Sequence, residues 1–203
     1  GLILSTEVAS NPANINMGCQ ESIIDDGQEV SGDADLLNIA NSVPGLIGQN
    51  FTVSSVNDIC AIEFDFEATG DSIRFNYVFG SDEYLTWVNT QYNDIFGFFL
   101  DGPGIDGPYA NDAVNLAEVP DSDPQLPITI SSVNNVTNSE FYINNNPNNV
   151  LCQNGYTVLM TAKSPVICGE TYHIRLAIAD GTDTALESIV ILESGSFQSN
   201  GAT

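Results

Sequence analysis

The chain has 203 residues, 42% of them hydrophobic, which is long and apolar enough for a core of its own and too apolar for a disordered tail. Against 27 Asp plus Glu stand 3 Lys plus Arg, a formal net charge of −24 with His173 neutral. Arg74, Lys163 and Arg175 are the whole cationic complement, so a phosphate-binding patch cannot be built: nucleic acid is excluded and anionic membranes are disfavoured. Cations, cationic partners, neutral ligands such as sugars, or a saline medium fit such a surface.

In chain order the first element is a helix expected over Asp33 to Asn41, where Asp33 or Asp35 caps Leu36, Leu37, Ile39 and Ala40 before Pro44 and Gly45 stop it. Ile62, Phe64 and Phe66 then alternate with Glu63, Asp65 and Glu67. After Ala68-Thr69-Gly70-Asp71 the alternation resumes at Ile73, Phe75, Tyr77 and Phe79, which predicts an antiparallel hairpin with one wet face. Ile95 to Leu100, Tyr156 to Ala162, Tyr172 to Ala179 and Ser188 to Glu193 are further short β-type runs bounded by Gly, Pro, Asn and Asp. No helix alternates with the strands, so the expected fold is all-β: one antiparallel β-sandwich over residues 1–203 with long acidic loops and at most one or two short helices. Residues 101 to 155 read as an elaborated loop region on that scaffold.

Cys19, Cys60, Cys152 and Cys168 form no CxxC pair, and no second histidine is present to complete a zinc set. Their even number predicts two disulfides in any of three pairings; Cys152 to Cys168 would close a short loop worth about 3 kcal/mol. An oxidising, extracytoplasmic location follows. Neither a signal peptide nor an apolar run of membrane-spanning length is visible, and a chain opening at Gly1 is expected to be a piece of a larger exported protein.

The chain lacks a GxSxG elbow, HExxH, a P-loop and a dinucleotide fingerprint. His173, the only histidine, alternates with Tyr172 and Ile174 in a strand and reads as structural. Two carboxylates flanking a sugar would suffice for glycoside hydrolysis, so a hydrolase is a rival reading. Oxygen-rich loops suit calcium better, because a hard cation takes six to eight oxygens from carboxylates, amides and carbonyls. Three clusters qualify: Asp82, Glu83, Asn93 and Asp94 with Asp101 one short strand on; Asp180, Asp183 and Glu187; and Asp33 with Asp35. None has EF-hand spacing. Tyr84, Trp87 and Tyr92 lie among the first cluster, and rings with a polar tip suit the stacking of sugars or the clasping of a peptide. Were that loop only a clasp, recognition would fall to the Asn-rich segment 138 to 155.

FNYVFGSDEY (75–84), NDIFGFFLDGPG (93–104), NGYTVLMTA (154–162) and TYHIRLAIADGTDTALESIVILESGSF (171–197) resemble the choice-of-anchor L domain of bacterial cell-surface and secreted proteins, and Gly32-Asp33-Ala34-Asp35-Leu36 matches more weakly. The segment 138–155 departs from the family in its Asn-rich insert and Cys152. The resemblance implies a module of a larger exported protein with no general enzymatic activity. A weaker similarity to calcium-dependent ligand-binding modules of large bacterial adhesins implies recognition of a peptide or glycan. The expectation is thus a non-catalytic, calcium-stabilised, extracellular adhesion module that binds a peptide or glycan on a host or neighbouring cell surface. It is covalently part of a larger protein and does not insert into the membrane; a purely structural spacer is the alternative.

Overall fold

The computed structural model describes residues 1–6, 30–145 and 151–199. Ten strands and one α-helix are present among them: β1 (Leu2–Ser5), α1 (Ala34–Leu46), β2 (Val56–Glu67), β3 (Ser72–Ser81), β4 (Ile95–Asp101), β5 (Val114–Asn115), β6 (Tyr142–Asn144), β7 (Gly155–Thr157), β8 (Met160–Pro165), β9 (Thr171–Gly181) and β10 (Ser188–Leu192). All pairings are antiparallel. One sheet runs β1-β10-β3-β7-β6, with β8 also on β3; the other runs β2-β9-β4-β5. The protein is a β-sandwich, as its alternating apolar runs require.

The two strands expected to form a hairpin do not pair. β2 lies against β9 in the four-stranded sheet, whereas β3 lies between β10 and the β7/β8 pair in the other. The connection at Ala68–Asp71 therefore crosses between layers. Phe75, Tyr77 and Phe79 of β3 face Phe96, Phe98, Ile174, Leu176 and Ile178 across the core, and Tyr77 meets Phe98 edge-on with ring centroids 4.8 Å apart. At the rim, Phe197 packs against Phe64 and Phe66 from one sheet and Phe75 from the other. The region expected to be loop adds to the same core through Ala117, Val119, Leu126, Ile128, Ile130 and Val133, all buried.

The helix covers the outer face of the four-stranded sheet, where Leu36, Ile39 and Ala40 pack on Ile95, Phe99, Ala177 and Ala179. This close contact needs Gly97, since a Cβ there would stand 2.8 Å from Ile39 Cδ1 and 2.5 Å from the Phe99 ring. The helix runs past the expected end at Asn41 and includes Pro44 in its last turn. Only one backbone hydrogen bond is forgone there, and Ile47 N–H still closes on the Val43 carbonyl.

Asp33 is the cap: its Oδ1 accepts the backbone N–H groups of Asp35 and Leu36, each at 2.9 Å, while Oδ2 accepts from Arg175 Nη2. Arg175 also lies 5.7 Å over the Phe99 ring. The guanidinium thus ties the helix to β9, and Arg74 donates to Gln198 Oε1. Asp33→Ala is expected to destabilise the fold by about 2 kcal/mol, about half from the cap and the rest from leaving Arg175 without its counter-charge. Asp33→Asn should restore the cap share alone, as denaturant titration of the two variants would read.

The disulfide expectation is not met among the described residues. Cys60 and Cys168 carry free thiols, so the loop from Cys152 to Cys168 is not closed by a bond; Cys19 lies outside the described residues. A large apolar core makes such a staple dispensable.

Candidate functional site

The ends of four central strands meet at one end of the sandwich. The β4–β9 register pairs Ile95 with Ala179 and Phe96 with Ile178, so the next step outward sets Asp94 opposite Asp180. Like charges directly opposite on neighbouring strands repel, so the juxtaposition is costly as it stands. It is enforced by Gly181, where a Cβ would lie 2.7 Å from the Asn93 carbonyl oxygen. From the other sheet, the chain leaving β3 brings Glu83, and the loop between β9 and β10 brings Asp183.

Burial is nearly complete: relative exposure is 1% at Glu83 and 0% at both Asp94 and Asp180. Asp94 is firmly oriented, since Oδ1 accepts the Gly181 N–H at 3.0 Å and Oδ2 the Ser188 hydroxyl at 2.6 Å. That second bond reaches across from one sheet to the other. In contrast, Glu83 Oε2 and both oxygens of Asp180 are buried without a hydrogen-bond partner. The Thr6 side chain is beside Asp180 but makes no bond of normal geometry to it. An unsatisfied buried polar atom costs about 1–3 kcal/mol and a charged one more, so three such oxygens on adjacent carboxylates point to a missing partner.

Electrostatics agree with the geometry. Burial, then the charges of Asp94, Asp180 and Asp183, push Glu83 up to about 12. Burial raises Asp94 to about 7 despite its bonds from Ser188 and Gly181. Asp180 is raised well above the carboxylate range by burial and then by Asp94, and burial also raises Asp183. Four acids that cannot all ionise together have two chemical solutions: they keep protons, or they share a cation. The donor set is oxygen only, which suits a hard ion such as Ca²⁺ over a transition metal. As placed, no three Asp, Glu, His or Cys side chains among the described residues converge as ligands of a formed site, so holding an ion requires the unbonded carboxylates of Glu83 and Asp180 to reorient.

The first two clusters anticipated from sequence thus merge, though not whole. Asp82 accepts the Asn154 backbone N–H at 3.1 Å, and Glu187 accepts from Ser5 Oγ at 2.6 Å and Gln153 Nε2 at 3.2 Å, so these two acids brace the rim. Asn93 Oδ1 accepts the Ser131 N–H at 3.3 Å. Asp101 ends β4 six residues beyond Ile95, about 20 Å away at the usual strand rise, and faces His173 instead. His173 Nδ1 is 2.7 Å from Asp65 on the sheet surface, and that bond raises its pKa. Asp33 is engaged by the helix cap and Arg175, and Asp35 accepts the Ala110 N–H at 3.2 Å. The third cluster is therefore separate.

Of the three rings expected to be displayed, Tyr84 is buried at 3% exposure, tilted against Tyr142 with centroids 4.9 Å apart. Trp87 is 37% exposed and meets Tyr92 edge-on at 5.0 Å. Next to them is a cavity of about 530 Å³ lined by Tyr84, Leu85, Thr86, Tyr142, Asn144 and Asn154. The 81–94 loop and the Asn-rich segment, expected as alternative recognition elements, both contribute residues to this cavity. Leu85, Thr86 and Tyr142 carried no pattern that would single them out.

The family model for the choice-of-anchor L domain matches residues 1–198. No curated protein matches the chain significantly.

Proposed function

The chain belongs to the choice-of-anchor L family, and on that premise we propose that it is a calcium-stabilised, non-catalytic ligand-binding module of a larger exported protein, used in adhesion. Choice-of-anchor domains occur in bacterial surface or secreted proteins and are not known as enzymes. Among the described residues no helix is long and apolar enough to cross a membrane. The observation that carries the reading is the group of partnerless oxygens on Glu83 and Asp180, which with Asp94 are three buried carboxylates beside the half-buried Asp183. Extracellular fluid supplies the divalent cation that such a set lacks. Glu83, Asp94, Asp180 and Asp183 would hold it, and its two positive charges would offset part of a chain at −24.

An ion held there would couple to recognition through the chain. Glu83 is followed directly by Tyr84, Leu85 and Thr86 of the cavity wall, so fixing one carboxylate orders the wall. A spacer domain has no need for a cavity at this end or for an exposed Trp87. The test is metal content by elemental analysis after dialysis against calcium, paired with glycan and peptide arrays run with and without chelator. The expected result is bound calcium and a ligand signal that chelation removes; protein that takes up no calcium overturns the stabilising ion, and blank arrays overturn recognition.

A further inference from the structure

The cavity beside the carboxylates has a composition that narrows its ligand. Among the described residues its lining offers two phenols, one hydroxyl, two carboxamides and one aliphatic chain, with no charged side chain. The hydroxyl oxygens of Tyr84 and Tyr142 are both buried without a partner, and a phenol hydroxyl can donate as well as accept. Tyr142 is held in place by Gly155, where a Cβ would stand 2.6 Å from the ring's Cε2. Asn154 donates through Nδ2 to the Asp82 carbonyl at 2.6 Å, which fixes its amide and keeps Oδ1 as an acceptor. A volume of about 530 Å³ falls in the range of small-ligand sites.

We infer that this cavity binds a neutral saccharide unit, its hydroxyls meeting the phenols and amides and its apolar ring face lying on Tyr142 or Leu85. The inference rests on the ligand-binding reading above and specifies its ligand. An anionic sugar would find no cation in the wall and would face a chain at −24. A peptide added as a strand beside the cavity would have to pair with β6, an edge strand of its sheet among the described residues, which offers three residues and hence few ladder bonds. The rings supply stacking area and the amides orientation, the combination a sugar requires.

The test uses the calcium-loaded protein on an array of neutral hexose and N-acetylhexosamine oligosaccharides, sialylated and sulfated glycans, and peptides, followed by titration of the best binder. Tyr142→Phe, which deletes only a partnerless hydroxyl, should lose at least tenfold in affinity without a lower melting temperature. Thr86→Trp, from an exposed position at the mouth, should block binding with calcium content unchanged. Retention on neutral glycans with both losses supports the inference. Retention on anionic glycans or on peptides alone overturns it and leaves the ligand-binding reading standing. The same holds if neutral glycans bind but Tyr142→Phe and Thr86→Trp match wild type while Trp87→Ala does not, since the site is then the Trp87–Tyr92 pair. No retention on any array overturns both.

Discussion

Replacing Asp180 with Asn is expected to leave the calcium-free melting temperature within about 2 °C of wild type and to abolish the rise that calcium produces. Without an ion, burial and the neighbouring Asp94 keep Asp180 in its neutral form, and an amide is close to a protonated carboxyl in size and shape. Little is therefore lost from the apo protein. With calcium, the wild type gains RT ln(1 + [Ca²⁺]/Kd), about 2.7 kcal/mol at a hundredfold excess over Kd. For a chain of this size that corresponds to about 5–10 °C. The Asn variant keeps only a neutral oxygen where the ion needs an anionic one. Asp101→Asn is the matched control: it makes the same side-chain change at the far end of β4 and should retain the full calcium response. Calorimetry of the three proteins with and without calcium checks the expectation. An undiminished increment in Asp180→Asn, or the absence of one in wild type, would sink the site.

The strands were legible because alternation of apolar and polar residues reports which side of a strand is buried. It does not report which strand lies alongside. Ile62, Phe64 and Phe66 show the same pattern whether β2 pairs with β3 or, as found, faces it across the core, so the hairpin expectation failed where a short turn-like link crosses between sheets. The contribution of Ile128, Ile130 and Val133 to the core was hidden for a related reason: irregular backbone has no period to read. At the site, residue types pointed to acids near Asp94 and near Asp180, but their union depends on the β4–β9 register, which the apolar runs of the two strands at that end do not encode locally. Exclusion of Asp101 was within reach, since a seven-residue strand must carry its two ends to opposite edges of the sandwich. Tyr84 looked exposed because it follows Ser81, Asp82 and Glu83, three polar residues that are themselves buried.

Calcium-free protein is expected to lose stability as pH rises from about 4 toward and beyond 7, and calcium is expected to reverse that slope. An acid whose folded pKa stands above its unfolded value of about 4 contributes stability that is complete below the unfolded value and is lost as pH climbs through the folded one. Asp94, raised to about 7, sets the middle of that window, while Glu83 and Asp180, raised further, extend it into alkali. Calcium competes with those same protons, so its increment should be small near pH 5 and large near pH 8. General repulsion within a chain at −24 also weakens the fold as pH rises, but those charges are exposed and screened by salt. The buried carboxylates are shielded from the added ions, so the slope should persist in 0.5 M NaCl if the cluster causes it, a concentration at which the Debye length is only about 4–5 Å. Melting curves across pH 4–8 at low and high salt, with chelator and with calcium, separate the two origins. A calcium-free slope that vanishes in salt assigns the effect to surface charge, and calcium-loaded curves parallel to the calcium-free ones would show that no protons leave the cluster when the ion is present.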